Sequence, residues 1–188
     1  MNHERMPIRL PRTETPPVLR TDFSDVAGWD RLVEALKTPV GFEKGSRDVS
    51  DYDLATSFVT LVDDEKYRDL TPEEVQEVAA SSRGGDFLYD HVYLADAETL
   101  ASGDLLLLGI DIDTSVQDED DIENEVPFRV PAVHITNVEI NDELGNLSFR
   151  ESYEMDWVNL EVYVAGPGTI VYEKFRELGQ GRGMEPDG

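Results

Sequence analysis

The stretch 105–112, LLLLGIDI, constrains the fold of this chain more than any other segment. Its leucine run is far shorter than the roughly 18–20 apolar residues of a membrane helix. It reads as a strand whose second half alternates, with Ile110 and Ile112 on one side and Asp111 and Asp113 on the other. Residues 56–62 carry a second apolar run, with Phe58, Val59, Leu61 and Val62 nearly continuous. A strand of that kind is covered on both faces, as in a sheet flanked by helices.

The helices to flank it are visible. Val26, Trp29, Leu32, Val33 and Leu36 recur at spacings of three and four, which puts them on one helical face. Ser24 or Asp25 caps the start of that helix, and Thr38-Pro39 ends it after Lys37. Thr71-Pro72-Glu73-Glu74 opens a second helix, with threonine as cap, proline at the first position and a glutamate closing the capping box. Further strands are expected over 18–21, 87–94 and 128–135, the last interrupted by Pro131 and so an edge or a bulge. Residues 42–54 read as polar and irregular. Residues 138–140 and 147–149 read as strands paired across a turn at 141–146, and 152–159 as a helical turn. Residues 160–164 and 169–175 form a hairpin around Ala165-Gly166-Pro167-Gly168.

The sum is an α/β (or α+β) fold in a single domain. It has a mixed sheet, two main helices near the N-terminus and an antiparallel C-terminal extension. The domain is expected over 18–178, between a proline-rich flexible leader at 1–17 and a flexible tail at 179–188.

Charge then narrows the partners. Forty-one Asp and Glu against sixteen Lys and Arg give a formal net charge of −25. Seven Phe, seven Tyr and two Trp are too many for a disordered acidic chain. Only four of the basic residues are lysines, and the twelve arginines are scattered, so direct binding to nucleic acid or to an anionic membrane is not expected. With no cysteine, disulfides, thiolate metal sites and cysteine nucleophiles are excluded. The N-terminal residues lack the apolar core of a signal peptide, and a cytoplasmic location is expected.

The acidity is uneven. Between Asp111 and Glu125 lie eight acids in fifteen residues and no base. Runs of like charge repel themselves and often serve as interaction segments. Asp118, Glu119, Asp120, Asp121 and Glu123 are the candidate partner-binding residues. The run lacks the glycine and the alternating acids of an EF-hand loop, so no metal and no cofactor is assigned to it. Asp111 and Asp113, at the end of the apolar strand, sit where paired carboxylates hold metals or exchange protons in α/β enzymes, and equally where a strand simply enters a polar loop. His3, His91 and His134 show no ligand spacing, and the two strand histidines read as structural or surface residues. There is no G-x-S-x-G elbow and no phosphate-binding glycine loop, so no catalytic residue is assigned. Tyr153, Trp157, Tyr163 and Tyr172 read as core, with an interface as the alternative.

Residues 18–25 (VLRTDFSD) with Trp29 and 32–36, then 58–63 with Tyr67, Leu70 and Thr71, Phe128-Arg129-Val130-Pro131 and Asn146-Leu147-Ser148 carry a resemblance. They resemble a bacterial family of small acidic α/β proteins of unknown function, over about residues 18–175. The resemblance implies a single domain and a bacterial source and brings no catalytic residues. The chain departs from that pattern at 114–126 and after Ser148.

Function is expected to be non-catalytic: an acidic interaction module of the immunity or inhibitor type, binding a basic protein, a nucleic-acid mimic being its sharper form. Two alternatives stand beside it. One is a salt-adapted protein whose acidity serves solvation alone. The other is a metal-dependent enzyme with its ion at Asp111 or Asp113. The oligomeric state is left open.

Overall fold

The structure, a computed structural model, describes residues 8–38, 40–43, 52–55, 58–81, 87–112, 127–145, 148–154, 163–166 and 169–171. Its centre is a five-stranded mixed sheet in the order β4-β1-β5-β6-β7. The strands are β1 Pro17–Arg20, β4 Thr60–Val62, β5 His91–Ala95, β6 Leu106–Asp111 and β7 Phe128–Pro131. β1 runs parallel to both β4 and β5, whereas β6 lies antiparallel to β5 and β7 antiparallel to β6.

Successive side chains of a strand face opposite ways, and here both faces are buried. Val18, Tyr93, Ala95 and Leu107 lie on one face, and Leu19, Val92, Leu94 and Ile110 on the other. The first face is covered by helix α1 (Val26–Lys37) through Trp29, Leu32 and Leu36, by α3 (Ala97–Ala101) through Leu100, and by α4 (Ile135–Glu143) through Ile135 and Val138. Helix α2 (Pro72–Ser81) covers the second with Val75 and Ala79, beside Tyr67, Leu70 and Tyr89. The result is three layers, helix–sheet–helix, in one α/β domain.

Both expected helix starts are built as the sequence implies. The Asp25 carboxylate accepts from the Gly28 N–H at 2.7 Å. Thr71 and Glu74 exchange reciprocal bonds at 3.0 and 3.3 Å. One detail of α1 differs: Val26, in its first turn, is exposed, beyond the reach of the sheet.

Other elements differ in extent. Of the strand expected over 56–62, residues 56–57 lie outside the described residues; in the described part, Thr60–Val62 is strand, lies at the sheet edge and is only half-buried. The strand expected from 87 begins at His91, and Leu88 is exposed. Part of the segment read as irregular is strand: β2 (Val40–Glu43) and β3 (Tyr52–Ala55) pair antiparallel. They form a second sheet with the C-terminal hairpin of β8 (Tyr163–Gly166) and β9 (Thr169–Val171), in the order β3-β2-β9-β8. β8 extends to Gly166, so only 167–168 separate the two strands. β9 joins β2 in parallel, which ties the C-terminal extension to an early segment.

The largest correction concerns 132–143. The strand expected to reach residue 135 stops at Pro131, and a 3-10 turn over Ala132–His134 leads into α4. The strand pair expected at 138–140 and 147–149 is therefore absent, since 138–140 are helical. β-Branched Ile135, Thr136, Val138 and Ile140 favour strands locally, but burial of 135–139, with Ile135 and Val138 packed into the core over the sheet, outweighs that preference. Gly145, at φ 65°, ends the helix in a left-handed turn that a side chain would strain.

The leader expected over 1–17 meets a packed segment from residue 8 onward. Leu10 is buried, and the hydroxyls of Tyr67 and Tyr89 donate to the carbonyls of Arg9 and Pro11 at 2.9 and 2.5 Å. The tail at 179–188 lies outside the described residues. No helix among the described residues is long and apolar enough to cross a membrane.

Gly28 shows how tightly α1 is set. A Cβ there would stand 2.9 Å from the Leu100 Cβ of α3 and 2.5 Å from the Asp25 cap. Alanine gains about 1 kcal/mol in helix propensity, but overpacking of this kind costs about 1–3 kcal/mol. Gly28→Ala is expected to lower the thermal midpoint by several degrees, measured by circular dichroism. An equal or higher midpoint would show that α1 and α3 separate freely.

Candidate functional site

The most developed polar cluster lies where β5 begins. His91 is the first residue of that strand, and the sheet register sets it opposite Asp111, the last residue of β6. By strand alternation His91 shares a face with Tyr93, the face that α4 covers. Helix α4 brings Glu139 and Asp142, three residues apart and so neighbours on its surface.

His91 is 1% exposed, yet both ring nitrogens have carboxylate partners. Nδ1 lies 2.6 Å from Asp90 Oδ1 and Nε2 lies 2.9 Å from Glu139 Oε1. Glu139 is itself buried, and its Oε1 also accepts from the Tyr93 hydroxyl at 2.5 Å. Phe149 seals the ring, stacked on His91 at 3.9 Å with planes only 6° apart. Gly109 makes room for this phenyl group, since a Cβ there would meet Phe149 Cζ at 2.8 Å. Asp142 fixes the segment that carries Phe149, its Oδ1 accepting from the Phe149 N–H at 2.9 Å. Arg150 follows and pairs with Asp111.

These contacts set the protonation. Burial opposes a charged His91, but Glu139 and Asp90 outweigh it and raise its pKa to about 9. The ring is therefore an imidazolium at neutral pH, held between two carboxylates. The His91 hydrogen bond lowers Asp90 from its usual value against the effect of burial. Asp142 is raised, first by burial and then by the negative charge of Asp90. Burial, reinforced by Glu139, pushes the Tyr93 hydroxyl far above the usual phenol range.

Chemically the cluster has an inner and an outer part. The His91–Glu139–Tyr93 part is closed to water and locks β5 to α4. The outer part is open: the Asp90 side chain is 54% exposed and Asp142 is half-buried. Asp90, His91 and Asp142 offer ligand atoms that all lie within 4.8 Å of one another, so this group has the composition and spacing to hold a metal ion.

Of the residues singled out in the sequence, Asp111 and His91 are brought together here. His134 is buried on the 3-10 turn before α4. Both strand histidines thus sit in the interior, though His134 lies on a turn and not in a strand. Asp113, Asp118, Glu119, Asp120, Asp121 and Glu123 lie outside the described residues, as do the side chains of Tyr153, Trp157, Tyr163 and Tyr172. Sequence reasoning missed Asp90, Glu139, Asp142 and Phe149. The available signal was the i, i+3 spacing of Glu139 and Asp142, which has meaning only once 135–143 is read as a helix.

A family model described as a domain of unknown function matches residues 15–158, which takes in all five strands of the central sheet and the whole cluster. No curated protein and no solved structure matches the chain.

The raised pKa of His91 has a consequence for stability. The unfolded ring titrates near 6.5 and the folded one near 9. The ion pairs therefore contribute fully below about pH 6.5, and their contribution is lost as pH rises through about 9, by on the order of 3 kcal/mol. Urea unfolding should show wild type losing stability between pH 6.5 and 9.5. Glu139→Gln, which removes the main charge favouring the imidazolium, should flatten that slope. Equal slopes in the two proteins would mean that His91 is not held charged.

Proposed function

Since the chain belongs to the family described as domain of unknown function DUF6924, we propose that it is an interaction protein that binds a basic protein partner through the end of the sheet where β5 begins. One observation carries the reading. β6 leaves the sheet at Asp111, and β7 enters it at Phe128, directly opposite Gly109. The acid-rich stretch thus departs from and returns to the end of the sheet that already carries Asp90, Asp111 and Asp142. Negative charge, far in excess over the whole chain, is densest in sequence at this point.

A concentrated field of one sign speeds encounter with a partner of the other sign and fixes its orientation. The seal over His91 supports a role in recognition over one in proton transfer, because a base must reach the proton it abstracts. Asp118, Glu119, Asp120, Asp121 and Glu123 are the residues assigned to the contact.

Two variants with the same net charge test this. One neutralises the five assigned acids to Asn or Gln, which takes −25 to −20. The other neutralises five exposed acids elsewhere, Asp30, Glu34, Glu73, Glu77 and Asp104, with the same total. Binding to a panel of purified basic proteins is measured for each by interferometry at physiological salt. Retention of a partner by wild type and the second variant, with loss in the first, supports the reading. Equal weakening in both variants, or no effect in either, overturns it.

A further inference from the structure

We propose that Asp90, His91 and Asp142 form a binding site for a divalent transition-metal ion, with Glu139 and Tyr93 as its outer shell. The proposal stands apart from the interaction reading, since it rests on described side chains and not on the acidic stretch.

The first argument is the donor set. The three ligand atoms lie within 4.8 Å of one another, a spread that one small cation spans. The set mixes an imidazole nitrogen, which suits Zn2+, with two carboxylate oxygens, which suit Mn2+. Three protein ligands, two of them reaching solvent, leave coordination positions for water.

The second argument is independent of ligand count. Metal-bound histidines almost always give their other ring N–H to a carboxylate, a backbone carbonyl or water, which fixes the tautomer and the ring orientation. His91 has that arrangement already. Nε2 is turned inward to Glu139 at 2.9 Å, Glu139 is fixed by the Tyr93 hydroxyl at 2.5 Å, and Phe149 stacks on the ring. With Nε2 so occupied, Nδ1 is the nitrogen left for the outer part, where it meets Asp90 Oδ1 at 2.6 Å. The cost of burying a histidine and a glutamate is borne by a part that water does not reach, and its effect is to aim one nitrogen at the open part.

The third argument is charge. Asp90 and Glu139 bond the imidazole, Asp142 lies beside them and Asp111 stands opposite His91 in the sheet; among the described residues, Arg150, paired with Asp111, is the arginine near this group. Among the described residues, four carboxylates against one guanidinium leave an excess that even the imidazolium does not balance. A divalent ion at Nδ1 would take the place of the proton now shared with Asp90 and remove the repulsion between Asp90 and Asp142.

The experiment uses the full chain after treatment with a chelator, with Mn2+ as the probe. Binding is measured by calorimetry, and the His91 ring protons are followed by NMR. Wild type should bind one Mn2+ in the micromolar range, and substoichiometric Mn2+ should broaden the His91 signals selectively. Asp90→Asn and Asp142→Asn keep shape and hydrogen-bonding capacity and should each weaken binding at least tenfold. Glu139→Gln, as a positioning residue, should weaken it about 10–100-fold while the far-ultraviolet spectrum stays that of wild type. The variant with five acids neutralised at 118–123 should bind as wild type does. Unbroadened His91 signals at one equivalent of Mn2+ would overturn the proposal. So would wild-type affinity in both aspartate variants, or loss of binding only in the 118–123 variant.

Discussion

Burial of both faces of the central sheet is the constraint from which the remaining architecture follows. Val18 and Leu19, then Tyr93 and Leu94, are adjacent in sequence and face opposite ways, and all are within 1% of complete burial. The central strands β1 and β5 must therefore be covered on each side. Burial of a large apolar side chain is worth about 1.5–3 kcal/mol, so no single surface interaction competes with this requirement. It explains why α4 is a helix despite its β-branched sequence: the face bearing Tyr93 and Leu107 has to be covered by Ile135 and Val138. It also places Glu139 over β5, since Glu139 lies four residues after the docked Ile135 and so on the same side of the helix.

The elements legible in the sequence are those whose signals are local. Helix α1 has its apolar face and Asp25, α2 has its capping box, and β6 has its leucines. Each carries start, stop and burial within about a dozen residues. The elements that escaped depend on distant partners. Val40–Glu43 and Tyr52–Ala55 are short, and β2 gains its other neighbour from β9, well over a hundred residues later in the chain. Residues 87–89 share the apolar character of β5, but Leu88 is exposed, and the ladder with β6 begins only at His91. Pro131 implies an edge or a bulge within a strand to residue 135; β7 is indeed an edge strand, but it stops at Pro131, and packing decides the helix that follows.

The same distinction governs the site. Asp111 was visible because it closes a conspicuous strand. His91 was visible as a histidine but not as a partner of anything. Asp90 and Asp142 are ordinary acids in a chain that contains 41 of them. What makes them distinctive is the pairing of β5 with β6 and the docking of α4, both tertiary facts. High acidity in fact concealed the cluster, because a functional carboxylate in such a chain has no contrast with its surroundings.

A fold that carries this much negative charge must place its few cations with care, and the described arginines show the pattern. Arg129 binds Asp96 and Glu98 and so fastens β7 to α3, and it donates as well to the Leu106 carbonyl. Arg20, buried beneath Phe23 and Trp29, reaches Asp63 and links β1 to the end of β4. Arg150 pairs with Asp111 beside the His91 cluster. Arg129 and Arg150 connect elements that the sheet alone does not hold together, whereas Arg20 reinforces a strand pair the sheet already makes; each uses a guanidinium suited to carboxylates. His91 is the fourth such connector and differs in kind, because its charge exists only while the proton stays on the ring. At the end of the sheet where acids are densest, the link between strand and helix is thus the one cationic contact among these four that a change of pH, or a competing cation, is able to exchange.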